Sequence, residues 1–164
     1  MKYDQRNVRR EEDQFRILGA NNLCDACGAN ERCALALALS SPVTRCTHYL
    51  PVIGFKSSKG LDRLSNTFRR GAGIFNRVRE GMRVGLFVDD RQGERLVGHG
   101  VVTARYLAPL GELLDQHAAI NHLFVDQRPQ QAPALLKRVL EQMYGRNYAS
   151  DDTRFSAVYV QPEV

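Results

Sequence analysis

Apolar positions in the C-terminal two thirds of the chain switch between two spacings, and the switches mark out its elements. Residues 82–88 alternate, with Val84, Leu86 and Val88 on one side and Arg83, Gly85 and Phe87 on the other, the period of a strand at least half buried. A polar run follows at 89–94 (DDRQGE), with Gly93 available for positive φ, so a hairpin turn is expected and Asp89 and Asp90 read as turn residues. A longer strand returns over 95–106, where Val97, Val101 and Val102 supply bulk and Gly98 and Gly100 permit close backbone approach. The last alternating run, 155–161, places Phe155, Ala157, Tyr159 and Gln161 on one face.

Helical spacing predicts three further pieces. Leu135, Leu136, Val139, Leu140 and Met143 form one stripe over 132–144, which Gly145 caps. Pro109 opens a helix over 110–119, and a short helical turn is expected at 74–80 with Phe75 and Val78 inward and Gly81 stopping it. Upstream, the extended apolar stretch 49–55 contains Pro51, which cannot donate to a ladder and so restricts this strand to an edge or to its first residues. Residues 56–73, rich in Gly, Ser and basic side chains, read as a loop around one short strand. Short strands with glycine corners around a few helices imply an α+β fold built on a small mixed β-barrel. There are too few strand–helix alternations for a doubly wound sheet.

The N-terminal third is patterned differently. Residues 1–20 read as a charged arm, and 21–49 contain every cysteine of the chain, as Cys24-x2-Cys27-x5-Cys33-x12-Cys46. Four thiols this close, two in a tight Cys-x-x-Cys turn, can converge on one tetrahedral ion at Zn–S distances of about 2.3 Å. Residues 31–39 (ERCALALAL) form a strong helix carrying Cys33, ended by Ser40, Ser41 and Pro42. Disulfides are disfavoured because no apolar signal-peptide core follows the opening MKYDQRNVRREEDQF, so the thiols are expected to stay reduced in the cytoplasm. Zinc is the expected ion and an iron–sulfur cluster the alternative, since four-cysteine sets serve both and the spacing is not the ferredoxin one. His48 is a reserve ligand. With 164 residues, the chain has length enough to bury about 70% of its unfolded surface without a staple. The metal module is therefore expected to be structural, and the division is arm 1–20, four-cysteine metal knuckle 21–49 and barrel domain 50–164.

Charge narrows the function. The net charge is +5, and only Lys2, Lys56, Lys59 and Lys137 of 23 basic residues are lysine, so the balance is overwhelmingly arginine, the residue suited to bidentate phosphate contacts and base stacking. Lys56, Lys59, Arg63, Arg69 and Arg70 form a basic stretch interleaved with Phe55, Phe68 and Phe75, a composition that neutralises phosphates and offers rings. No run approaches the ~18 apolar residues of a membrane span, and no recognition helix for duplex DNA is visible. A nucleic-acid partner is expected, RNA or single-stranded DNA before duplex, and no membrane partner.

Thr67-Phe68-Arg69, then Glu80-Gly81-Met82-Arg83-Val84-Gly85-Leu86, then GHGVVTARY at 98–106 and Leu110-Gly111-Glu112-Leu113 resemble the ASCH domain of the PUA-like superfamily over residues 50–164. The resemblance implies a PUA-like barrel with two or three flanking helices, RNA-related roles and, in some members, hydrolysis of a modified cytidine. Its Thr-x-Arg element, here Thr67 and Arg69, would line a cleft together with Arg70. Met82 stands where the family has aspartate, and Gly54-Phe55-Lys56 carries only part of an early signature whose glutamate is missing. A hydrolase acting on a modified nucleoside or nucleobase is thus the alternative, with Lys56 as activator, Thr67 supplying a hydroxyl and Arg69 holding substrate, but with no carboxylate to shuttle protons. An iron–sulfur sensor is the second alternative. Among the histidines, His99 lies between two glycines and can face a cleft as base or donor. His117 and His122 are five apart, which on one helix would place them about 140° apart, a poor match to the same-face spacing a metal would use, and they read as surface or capping residues.

Overall fold

The computed structural model describes residues 50–90 and 93–163, and the four-cysteine module and N-terminal arm lie outside them. The described elements are β1 (Val52–Phe55), β2 (Ser65–Arg70), α1 (Gly73–Arg77), β3 (Arg83–Asp90), β4 (Gly93–Pro109), α2 (Leu110–His117), α3 (Ala132–Tyr144) and β5 (Arg154–Pro162). Short 3-10 turns lie at Ala118–Ile120, Pro129–Gln131 and Arg146–Tyr148. The strands follow the order β1-β3-β4-β5-β2 and include both a parallel and an antiparallel pair, so the chain has the α+β class and mixed sheet that the pattern predicts. Two compact units divide the described residues, one holding 50–57 with those of 83–100 and the other 58–82 with 101–163. β4 runs through both.

In the first unit β1 pairs parallel with β3, Val52 opposite Gly85 and Phe55 opposite Val88. Gly85 N–H donates to the Pro51 carbonyl at 2.9 Å, so the ladder begins at the residue that itself has no N–H to give. Val52, Ile53, Phe55, Val84, Leu86 and Val88 are buried. The register places Lys56 one step beyond Phe55 and beside Asp89, and the two form an ion pair. Asp90 takes both terminal nitrogens of Arg95 at 2.9 Å. The two aspartates are therefore not turn residues. They extend β3 to Asp90, and β4 starts as early as Gly93, because paired side chains hold the two strand ends together.

The second unit is built on β2 and β5, antiparallel from Ser65 opposite Val160 to Arg70 opposite Phe155. Phe155 through Val160 are all buried, where alternation predicts a half-exposed strand. The reason is position: β5 lies between β4 and β2, α2 packs against it, and α1 does too. The core on the α2 and α3 side joins Phe68, Leu110, Leu113, Leu114, Leu136, Leu140 and Phe155, with Tyr144 edge-on to Phe155 at 5.6 Å. Helix α3 has the bounds its stripe predicts and ends at Gly145, whose φ of +88° a side chain rarely adopts. Helix α2 is shorter than expected. It gives way at His117 to the 3-10 turn because Asn121 must become extended to bridge Asn66 of β2.

Candidate functional site

The start of β2 carries a hydrogen-bonded cluster within the second unit. Asn66 is buried opposite Tyr159 in the β2/β5 register, so their side chains share a face. The Asn66 amide donates to the His117 carbonyl at 2.8 Å, and its own carbonyl accepts from the Asn121 amide at 3.3 Å. Asn121 in turn accepts the Leu123 N–H at 3.2 Å, and His122 N–H donates to the Asn66 main-chain carbonyl at 3.0 Å. On the far side Tyr159 hydroxyl and His117 Nδ1 lie 2.9 Å apart. The Tyr106 ring stacks on His117, centroids 4.3 Å apart at 25°, and Tyr159 stands edge-on to both rings.

Burial sets the charge state of this cluster. The imidazole of His122 is pushed down to about 4, first by desolvation and then by the positive charge of Arg69, with the Lys59 carbonyl hydrogen bond opposing. That carbonyl can only accept, so His122 Nδ1, 3.2 Å from it, carries the proton and Nε2 holds the lone pair. His117 is lowered by burial against a weaker opposing pull from Glu112. Tyr159 is raised by burial, partly offset by a hydrogen bond from Asn66. Near neutral pH, therefore, the described hydrogen bonds here are made by uncharged amides, imidazoles, a phenol and backbone groups. Such a set is suited to holding and reading a neutral polar ring, and less to moving a proton against a carboxylate.

Gly60 fixes the loop that leads into β2. Its φ is +68°, and a Cβ there would collide with the His122 carbonyl oxygen. Close approach of two backbones thus locks Lys59 beside His122.

The basic residues expected to bind nucleic acid are distributed around this frame. Lys59 and Arg63 lie in the loop before β2, and Arg63 shares its charge with Asp62 at 3.2 Å and Asp126 at 3.3 Å. Thr67 and Arg69 project from one face of β2 while Asn66, Phe68 and Arg70 project from the other, since side chains alternate along a strand. Thr67 is 2% exposed, opposite Val158. Arg70 is exposed and holds its guanidinium 4.6 Å from the centroid of the Tyr148 ring, itself 55% exposed. Arg146 is in the same 3-10 turn as Tyr148, and the Arg154 carbonyl accepts the Gly71 N–H at 2.8 Å, just past Arg70. Arg70, Arg146 and Arg154 make no ion pair among the described residues. Lys56 belongs to the other unit, in its ion pair with Asp89.

His117 and His122 are not the surface or capping residues that their spacing suggests: His122 is buried and His117 half-buried beneath Tyr106. The spacing misses them because their burial comes from tertiary partners: the Asn121 bridge draws His122 against β2, and Tyr106 covers His117. Asn66, Asn121, Tyr106 and Tyr159 carry no sequence signal beyond their types, except that two asparagines and a histidine near helix and strand ends are candidates for backbone hydrogen bonding. Among the described residues no group of three His, Cys, Asp or Glu side chains could hold a metal, and Cys24, Cys27, Cys33 and Cys46 lie outside them. Among the described residues, no helix is long and apolar enough to cross a membrane.

No protein-family model matches the chain. No curated protein matches it either. Two solved structures resemble it: a mutant ASCH protein from Zymomonas mobilis, 15% identical over 68% of this chain and 70% of its own with a TM-score of 0.44, and the hypothetical protein PH0355, 12% identical over 68% and 97% with the same TM-score.

Proposed function

We propose that this chain is a nucleic-acid-binding protein that takes RNA or single-stranded DNA in preference to duplex. In this reading residues 50–164 form an ASCH-type PUA-like barrel, and Cys24, Cys27, Cys33 and Cys46 hold a structural zinc ion in a reducing compartment. The observation that carries the reading is the exposed Tyr148 beneath the Arg70 guanidinium at 4.6 Å, with Arg146 in the same 3-10 turn. An exposed aromatic ring beside arginines that make no ion pair among the described residues offers stacking to an unpaired base and charge to its phosphates, which duplex DNA, with its bases stacked inside, does not exploit.

The test is fluorescence anisotropy of a labelled single-stranded oligonucleotide against the full chain across a salt series. Affinity is expected to fall steeply with salt, and Arg70→Ala to weaken binding while lowering the salt slope by about one. Tyr148→Ala is expected to weaken it by roughly 1–3 kcal/mol, the range for one base–aromatic stack. No binding at low salt or binding indifferent to salt overturns the reading, and equal affinity of both variants and the unaltered chain overturns its placement at Arg70 and Tyr148.

A further inference from the structure

The aromatic stack at Tyr106 has no role in the Arg70–Tyr148 contact. Tyr106 sits near the end of β4, yet the residue is 43% exposed. One of its faces is covered by His117 at 4.3 Å and its side is closed by Tyr159 at 5.9 Å. Neither of those rings is free to move. His117 is tied through Nδ1 to the Tyr159 hydroxyl at 2.9 Å, and its carbonyl accepts the buried Asn66 amide at 2.8 Å. Three elements, β4, α2 and β5, together with a buried amide pair, thus hold an exposed ring in one orientation. Two further apolar side chains are left open beside the same bridge: Leu64, two residues before Asn66 and 43% exposed, and Ile120, one before Asn121 and 42% exposed.

We propose that the open face of Tyr106, backed by His117 and walled by Tyr159, seats one unpaired nucleobase. The inference rests on the nucleic-acid reading above and names the ring that would take the base. A nearly parallel stack ending in an open aromatic face is continued by another flat ring, and because the rings are already fixed, little side-chain freedom is lost when one arrives. The hydrogen-bonding groups behind the stack are uncharged, which suits a neutral heterocycle. A proline-rich peptide is the competing occupant of an exposed tyrosine, but the stacked His117 supports a flat partner better than a puckered one.

The experiment uses two probes on the full chain: free uncharged nucleosides followed by NMR shifts of the Tyr106 and His117 rings, and a single strand containing 2-aminopurine, whose emission is selectively excited because the protein contains no tryptophan. Tyr106→Ala is expected to reduce nucleoside affinity about 5- to 150-fold, the equivalent of one lost stack, while Tyr106→Phe stays within about twofold. Circular dichroism of both variants separates loss of binding from loss of fold, and Tyr106→Phe keeps the test decisive if the alanine variant unfolds. Nucleosides that shift neither ring, 2-aminopurine emission quenched equally in Tyr106→Ala, or displacement by a proline-rich peptide without nucleoside binding overturns the proposal. The two readings fail separately. If Arg70→Ala and Tyr148→Ala leave strand binding intact while nucleosides still shift His117, the Tyr106 seat stands without the Arg70 contact. If strand binding depends on Arg70 but not on Tyr106, the seat falls and the general reading remains.

Discussion

His122 is held neutral in a site that its protonated form could not share with Arg69 and Lys59. Its folded value near 4 lies below the ordinary value of 6.5 of an imidazole in an unfolded chain. The unfolded state therefore takes up a proton first as pH falls, so stability is fully present above about 6.5 and is lost between there and 4. A full shift of that size corresponds to roughly 3 kcal/mol, as an order of magnitude. Urea unfolding at pH 7 and pH 5 should show the drop, and His122→Gln should flatten it; an unchanged difference in the variant would place the pH sensitivity elsewhere. Asn66 belongs to the same scale. Truncation to Ala strands the Asn121 amide and empties the donor to His117, so a loss of roughly 1–3 kcal/mol is expected from the denaturation midpoint. Neither residue announces itself in the sequence. An asparagine before a Thr-Phe-Arg run reads as a strand residue, and only the β2/β5 register places it opposite Tyr159.

Elements were legible where one face alone is buried or where a helix stripe is continuous. Helix α3 follows its stripe from Ala132 to Tyr144, and β3 follows its alternation from Arg83 onward. Ends were less legible, because partners decide them. Arg95 and Asp90 carry β3 and β4 into the expected turn, and Asn121 stops α2 early by bridging to β2. The loop before β2 is the sharpest case of an element set by a distant backbone. Gly60 packs on the His122 carbonyl at φ +68°, so Gly60→Ala is expected to destabilise by more than about 1 kcal/mol and to perturb the His122 imidazole resonance together with the midpoint. A variant of unchanged stability and spectrum would mean that the loop does not hold His122.

At the scale of the whole molecule, composition is what motivates the proposed partner. An excess of arginine over lysine and a net charge of +5 favour phosphate-bearing ligands whatever the fold. The four cysteines are likewise a property of spacing alone, and their proposed zinc is tested without reference to the fold: the purified chain should carry one equivalent of zinc and be colourless, and Cys27→Ser should lower that content. Unchanged metal in the variant would refute a shared site, and visible absorbance would replace zinc with an iron–sulfur cluster. By itself the sequence determined the α+β class, the order of most elements and the charge, because periodicity, breakers and composition are local. It did not determine that Thr67 is buried while Arg70 rests on Tyr148, or that Tyr106, stacked on His117 and met edge-on by Tyr159, sits beside a buried asparagine that holds the His117 carbonyl. Those facts join residues as far apart in the chain as Arg70 and Tyr148, and depend on strand register and on where a helix ends, which only the tertiary packing decides.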